Sequence, residues 1–201
     1  MKAGSSGALT ETEIKLGVQP SEAAPTRLRR LGFQVVGRRR FENNVLFDFD
    51  DRSLTKANIL LRLRSENGRY LLTLKGPPQP SRRYKIRREV EFEIEAKTVK
   101  RLLALLKAVG LREVFRYQKF RTTYAPRLRG KGQKGTICFD ETPIGVFLEL
   151  EGPRQWIDRT ARRLGRDSTA YITASYAKLY LEACRRRGMR PGNMIFPQKA
   201  R

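Results

Sequence analysis

The sequence predicts an α+β protein with strands enough to curl into a barrel. Three observations predict it. Runs of period-two alternation recur along the chain, at about eight strands to four helices. One pair of runs is joined around Asn67-Gly68, a turn dipeptide that makes consecutive strands antiparallel. Every strong run also has one apolar and one charged face, a pattern that calls for helices over one side of a sheet.

The elements follow in order. Residues 1–9, MKAGSSGAL, read as a flexible leader. TETEIKLGV, from Thr10, reads as a strand with Glu11, Glu13 and Lys15 on one face and Ile14 and Leu16 on the other. PSEAAPTRLRRLGF carries Leu28 and Leu31 at helical spacing and stops at Gly32. FQVVGRRRFENNVLFDF reads as extended chain, and ANILLRLRSENGRYLLTLKGPP as the hairpin. The loop PPQPS leads into a long alternating strand, RRYKIRREVEFEIE. KTVKRLLALLKAVGL is an amphipathic helix with Gly110 at its end. YQKFRTTYAP, KGTICFDET and GVFLELEG are further strands, the first two separated by the basic, glycine-rich loop RLRGKGQKG. Two helices close the pattern, QWIDRTARRLG and ITASYAKLYLEACRRRG. The expected folded domain is 10–188, followed by a basic tail, 189–201, interrupted by Pro and Gly.

Composition narrows the function. At 201 residues the chain is long enough for one domain with a proper core. It has 43 Lys and Arg against 20 Asp and Glu, a net charge of +23 that attracts polyanions. There is no histidine, which excludes Ser-His and Cys-His nucleophilic machinery. The two cysteines, Cys138 and Cys184, make neither a disulfide framework nor a zinc site; they read as buried thiols in a reducing cytoplasm. No apolar run approaches membrane-span length and the N-terminus has no signal-peptide core, so the expected location is cytoplasmic, with no membrane partner.

The charged faces carry the chemistry. Arg62 and Arg64 alternate with Leu61 and Leu63, and Thr73 and Lys75 with Leu72 and Leu74. Lys85, Arg87, Glu89 and Glu91 alternate with Ile86, Val90 and Phe92. Lys119 and Arg121 flank Phe120, Asp140 lies across the pleat from Phe139, and Glu149 and Glu151 flank Leu150. A one-sided sheet with these charges in water is the plain alternative. Solvated faces usually mix Ser, Thr and Gln with charge, whereas here Arg/Lys pairs and Glu pairs repeat at i, i+2. Charges lining a barrel are costly unless used. Converging cations suit a polyphosphate, and carboxylates beside them suit a divalent cation bridging to that phosphate.

The same segments resemble the CYTH superfamily of class IV adenylyl cyclases and thiamine triphosphatases, the triphosphate tunnel enzymes. TETEIKL is similar to the family's ExExK signature, LLRLR to its LRxR strand, LTLKGP to TxKGP and KIRREVE to RxExE. KFRTTY resembles KxRxxY, ICFDE the aspartate strand, FLELEG the ExE strand and ASYAKLY the final helix. NNVLFDFDD departs from xxYFD, with Leu46 where an aromatic residue is common. The resemblance implies an eight-stranded antiparallel β-barrel, the triphosphate tunnel, with helices on its outside and Mg²⁺ or Mn²⁺ as cofactor. It implies Glu11, Glu13, Asp140, Glu149 and Glu151 as metal ligands. It implies Lys15, Arg62, Arg64, Lys75, Lys85, Arg87, Lys119 and Arg121 as phosphate contacts, with Lys15, Lys75, Arg121 and Glu89 nearest the chemistry. Glu89 and Glu91 would orient basic residues or a metal-bound water, or simply hold the arginines in a salt-bridge network.

LTLKGP followed by a long alternating strand looks closest to the class IV cyclase branch, which converts ATP to cyclic AMP and pyrophosphate. The alternative is a triphosphatase acting on tripolyphosphate or thiamine triphosphate. A non-enzymatic polyanion or nucleic-acid binder is a second alternative, less favoured because no aromatic stacking platform stands out. A tunnel that only senses a nucleotide is a weaker option. Monomer and homodimer both remain open.

Overall fold

The computed structural model describes residues 9–19, 23–127 and 135–197. Eight strands are present: β1 Leu9–Val18, β2 Phe33–Asp48, β3 Leu60–Glu66, β4 Arg69–Lys75, β5 Lys85–Ile94, β6 Arg112–Pro126, β7 Thr136–Thr142 and β8 Gly145–Glu151. The helices among the described residues are α1 Ala24–Arg30, α2 Ser53–Lys56, α3 Val99–Ala108, α4 Arg154–Arg163 and α5 Tyr176–Arg186. The strands form a closed barrel in the order β1-β5-β4-β3-β2-β6-β7-β8, every pairing antiparallel. Closure leaves no free sheet edge to template aggregation. The β3–β4 turn is the expected one: Asn67 and Gly68 both have positive φ, 46° and 78°, which the twist of a two-residue hairpin requires.

The core of this protein lies outside its barrel. Most of the apolar strand faces point outward, under the helices, while Leu74 of β4 and Phe92 of β5 stay exposed. Ile14, Leu16, Ile137 and Leu150 pack beneath Leu28 of α1 and Trp156 and Ile157 of α4. Gly135 sits so close that an added Cβ would meet the Trp156 ring at 2.4 Å, so the chain entering β7 tolerates no side chain there. On another side, Val45, Phe47 and Leu63 pack under Val99 and Leu106 of α3. A third cluster joins Tyr117, Phe147, Tyr176 and Met194. With helices taking up the outward faces, the charged faces have only the interior to occupy.

Three features differ from the sequence reading. Leu9 belongs to β1 rather than to the leader, and residues 1–8 lie outside the described residues. So do 20–22, at the expected start of the first helix, 128–134 in the RLRGKGQKG loop, and 198–201. Helix α2 has no apolar periodicity to announce it. Its turn is organised instead by Asp48, whose carboxylate accepts from the backbone N–H groups of Phe49, Leu54 and Thr55 and from the Thr55 hydroxyl. The beginning of the basic tail is packed, not free. Met194 is fully buried and bonds along β6, Met194 N to Arg116 O and Gln118 N to Met194 O, both at 2.9 Å. It takes the β6 edge that β7, which pairs only from Phe120 to Tyr124, leaves open.

Candidate active site

β1 is the strand on which the site is organised, because it pairs with β5 along its first half and with β8 along its second. Glu13 is therefore opposite both Lys85 and Glu151, and Lys15 is opposite Glu149. Around the barrel the register also sets Lys75 against Glu89 and Arg121 against Asp140. A cavity of about 610 Å³ opens among these side chains. Its wall includes Glu11, Glu13, Lys15, Arg62, Arg64, Lys75, Lys85, Glu89, Glu91, Lys119, Arg121, Glu149 and Glu151. Leu9, Leu46, Leu60, Val90 and the N-terminal end of α5 complete it.

The charges form a continuous network. Lys75 bonds to Glu11 and, at 2.9 Å, to Glu89. Lys85 holds Glu13 at 2.6 Å, and Lys15 bridges Glu13 at 3.3 Å and Glu149 at 3.1 Å. Arg62 reaches Glu91, Thr73 and the Tyr117 hydroxyl, each at 3.1–3.3 Å. Arg121 contacts Glu149 and grips Asp140 through two bonds of 2.7 and 2.6 Å. Glu89 thus pairs with Lys75 and Glu91 with Arg62.

Two expected residues are placed differently from the rest. Asp140 is fully buried and does not line the cavity. Its carboxylate is taken by Lys119, by Arg121 and by the Tyr176 hydroxyl at 2.7 Å. In this arrangement the Asp140 oxygens accept from four donors and hold Lys119 and Arg121 in place. Arg87 faces Glu11 across the β1–β5 pairing but also stays off the cavity wall, and its Nε is buried without a partner. Cys138 and Cys184 are free and buried, as expected. Burial pushes the Cys138 thiol up to about 11, which keeps it protonated and unreactive.

Several site residues escaped sequence reading. Glu42 on β2 is fully buried behind Arg64, Lys119 and Arg121, beside an Arg40–Glu66 pair at 3.1 Å. Asn44 is fully buried on the same inner face, as is Thr73, which the alternation of β4 already places there. The i, i+2 spacing of Arg40, Glu42 and Asn44 is a usable signal, but β2 has register shifts near Gly37 and Arg40 that scramble its alternation. Tyr117 and Tyr176 look like ordinary core aromatics, yet both turn their hydroxyls to tunnel charges. Lys15 and Lys119 also stand over the Tyr176 ring, 5.1 and 4.9 Å from its centroid. Leu46, where the family pattern favours an aromatic, lines the cavity.

Electrostatics divides the carboxylates. Burial alone would raise Glu13, but Lys15 and Lys85 bring it well below the usual range. Glu149 is lowered in the same way, against its burial, by Lys15, Lys119 and Arg121. Glu11 behaves oppositely: burial and then Glu13 push it up to about 7, against the pull of Lys75. Burial and Glu13 also raise Glu151. Like charges are thus crowded around Glu13 beyond what the lysines neutralise. Among the described residues no three carboxylate or thiol donors are gathered into a metal cage. Mg²⁺, however, is commonly held by one or two carboxylates with the rest of its shell from substrate phosphate and water. Glu11, Glu13, Glu149 and Glu151 supply hard oxygen donors of the right kind, and the excess negative charge at Glu11 and Glu151 is what a divalent cation would relieve.

A closed antiparallel barrel with helices outside and a charged, side-chain-filled interior defines the class: a tunnel barrel. A CYTH-domain family model matches residues 9–176, and the chain belongs to the CYTH family. It is 30% identical over 143 residues to a Methanocaldococcus jannaschii protein named as a candidate adenylate cyclase, a match spanning 71% of this chain and 77% of that protein. A solved structure from Vibrio parahaemolyticus, also named as a candidate adenylate cyclase, superposes with a TM-score of 0.70 at 19% identity, covering 86% of this chain and 98% of that one. A Hippeastrum protein, described as a candidate adenylyl cyclase with a dominant triphosphatase activity, superposes with a TM-score of 0.60 at 20% identity over 90% and 97% of the two chains. At these identities the two structures establish the fold.

Proposed function

We propose that this chain is a divalent-metal-dependent enzyme that takes the triphosphate of its substrate into the barrel and converts ATP to cyclic AMP and pyrophosphate. The observation that carries the reading is the convergence of cations from five strands on one cavity, beside a carboxylate group with excess negative charge. The lining also includes Leu9, Leu46, Leu60 and Val90. Inorganic tripolyphosphate has no use for an apolar wall, whereas a nucleoside does, and the volume suits a ligand of that size. The adenylate cyclase name of the M. jannaschii relative supports the same reading.

In the reaction the ribose 3′-oxygen attacks the α-phosphorus and gives up its proton to solvent, and the bond to pyrophosphate breaks. Such transfers depend on positioning and charge stabilisation. Arg62, Arg64, Lys119 and Arg121 would grip phosphate oxygens, with Lys15, Lys75 and Lys85 near the glutamates steadying the leaving pyrophosphate. Glu89, bonded to Lys75, keeps that ammonium aimed. Mg²⁺ or Mn²⁺ held by Glu11, Glu13, Glu149 and Glu151 would supply the charge that lets carboxylates and phosphate share the cavity.

A triphosphatase reading stands second, with water attacking the terminal phosphorus. The Hippeastrum barrel favours it, since that protein combines a candidate cyclase name with a dominant triphosphatase activity. Incubation with ATP and Mn²⁺, in parallel with tripolyphosphate, followed by anion-exchange chromatography, decides between them. Cyclic AMP with pyrophosphate is the expected result. Orthophosphate from tripolyphosphate without cyclic AMP would move the chain to the triphosphatases.

A further inference from the structure

The tunnel does not account for the charge of this protein. Its interior balances: nine cations (the eight phosphate candidates and Arg40) face nine anions (Glu11, Glu13, Glu42, Glu66, Glu89, Glu91, Asp140, Glu149 and Glu151). The remainder of the sequence holds 34 Lys and Arg against 11 Asp and Glu, so the +23 is carried by residues other than these eighteen. A balanced interior is what a buried network needs. The imbalance outside has no such internal reason.

Part of the excess is gathered on one face. The C-terminal ends of α1 and α4 meet the start of β2 and the end of β6. Arg163 donates to Leu31 O at 2.6 Å, Arg127 N donates to Gly32 O at 2.9 Å, and the Arg27 guanidinium reaches to 3.0 Å of where a Cβ on Gly165 would stand. These contacts bring together Arg27, Arg29, Arg30, Arg127, Arg162 and Arg163, all exposed. Among the described residues none of the six is in an ion pair. Soluble surfaces normally intersperse both signs; here six exposed guanidinium groups stand on neighbouring segments without an ion pair.

We propose that this arginine face docks the phosphate backbone of a nucleic acid, independently of the tunnel. The guanidinium fork matches phosphate oxygens bidentately and keeps its charge at any physiological pH. An anionic membrane fits less well, because Leu28, Phe33 and Leu164 of the same segments are buried and only two short apolar side chains, Val35 and Val36, are exposed beside them. Backbone docking of this kind reads charge rather than sequence.

Fluorescence anisotropy with labelled duplex DNA, duplex RNA and single-stranded RNA tests it, using the full chain with saturating tripolyphosphate present to fill the tunnel. Binding should survive the tripolyphosphate and weaken by about 10²- to 10³-fold between 50 and 200 mM salt, as expected for about five neutralised phosphates. The triple variant Arg29→Glu/Arg30→Glu/Arg162→Glu should bind at least about 30-fold more weakly and lower the salt slope by about three, while triphosphate turnover stays at the wild-type level. The Gln triple variant, with circular dichroism as a check on folding, should lose affinity in the same direction. The relative affinity of the three oligonucleotides identifies which backbone is preferred. No binding at low salt, displacement by tripolyphosphate, wild-type affinity in folded variants, or preference for phosphatidylglycerol vesicles would each overturn the proposal.

Discussion

Glu42 is buried with neither carboxylate oxygen in a hydrogen bond, while Arg40, Lys119, Arg64 and Arg121 stand 3.5, 3.6, 3.7 and 3.8 Å away. It neutralises four cations without taking up their N–H groups, which leaves those donors to Glu66, Asn44, Asp140 and Glu149. Glu42→Gln should therefore cost about 3–5 kcal/mol of stability, measured by urea denaturation. Burial alone would raise the Glu42 carboxyl, but Lys119, Arg121, Arg64 and Arg40 hold it well below its ordinary value of 4.5. A carboxylate depressed in the folded state contributes stability above its unfolded pKa and loses that contribution as pH falls. Thermal midpoints should thus drop below about pH 4.5, and less steeply in Glu42→Gln; parallel curves for the two proteins would refute this assignment. In the cavity itself, Arg62→Ala should weaken triphosphate binding by roughly 10- to 100-fold in calorimetry, the worth of one or two charge-assisted bonds. Unchanged affinity would remove Arg62 from the site. Residues on regular strands were legible from the sequence because period two assigns them a face. Glu42 was not, since the irregular register of β2 breaks that count. Tyr117 and Tyr176 were not either, since a tyrosine with a buried ring and a bonded hydroxyl looks like any core aromatic.

At the scale of elements, helix α5 reaches the tunnel from outside the barrel, and the segment after it packs along β6. Ser175 caps α5, accepting from Lys178 N at 3.3 Å, and the next residue sends its hydroxyl to Asp140. Tyr176→Phe should cost about 1–3 kcal/mol by removing a donor from a buried carboxylate, with near-wild-type secondary structure by circular dichroism. The 189–197 segment is the larger surprise. Its composition reads as a tail, but a single buried methionine and four backbone-linked bonds fasten it to β6. Truncation after Gly188 would uncover Tyr117 and forfeit about 1.5–3 kcal/mol from Met194 alone, so a lower thermal midpoint is expected. A midpoint equal to the full chain would show the docking to be energetically idle. Sequence could not forecast this, because edge pairing at one residue leaves no periodic trace. The same holds for α2, built on the Asp48 carboxylate rather than on an apolar stripe. The strands of the β3–β4 hairpin and the α3 helix, by contrast, were legible from turn chemistry and periodicity alone.

For the whole molecule, the sequence pattern says that each strand has a charged face but not which side of the barrel that face takes. The helices decide it: α1, α3 and α4 pack on the apolar faces from outside, so the charges go in. The result is a barrel with its apolar core outside and its ions inside, stabilised by neutrality as much as by burial. That arrangement is costly to keep unless the ions are used, and a triphosphate–metal complex is the ligand that would use cations and carboxylates together. The most direct measurement is calorimetric titration of tripolyphosphate into the protein with Mn²⁺ and then with EDTA, alongside Glu13→Ala. Tight binding with Mn²⁺ that falls at least about tenfold in EDTA and in the variant is the predicted result, because carboxylates and phosphate then face one another unbridged. Equal affinity in all three titrations, or no binding in any, would contradict the tunnel as a metal–triphosphate site.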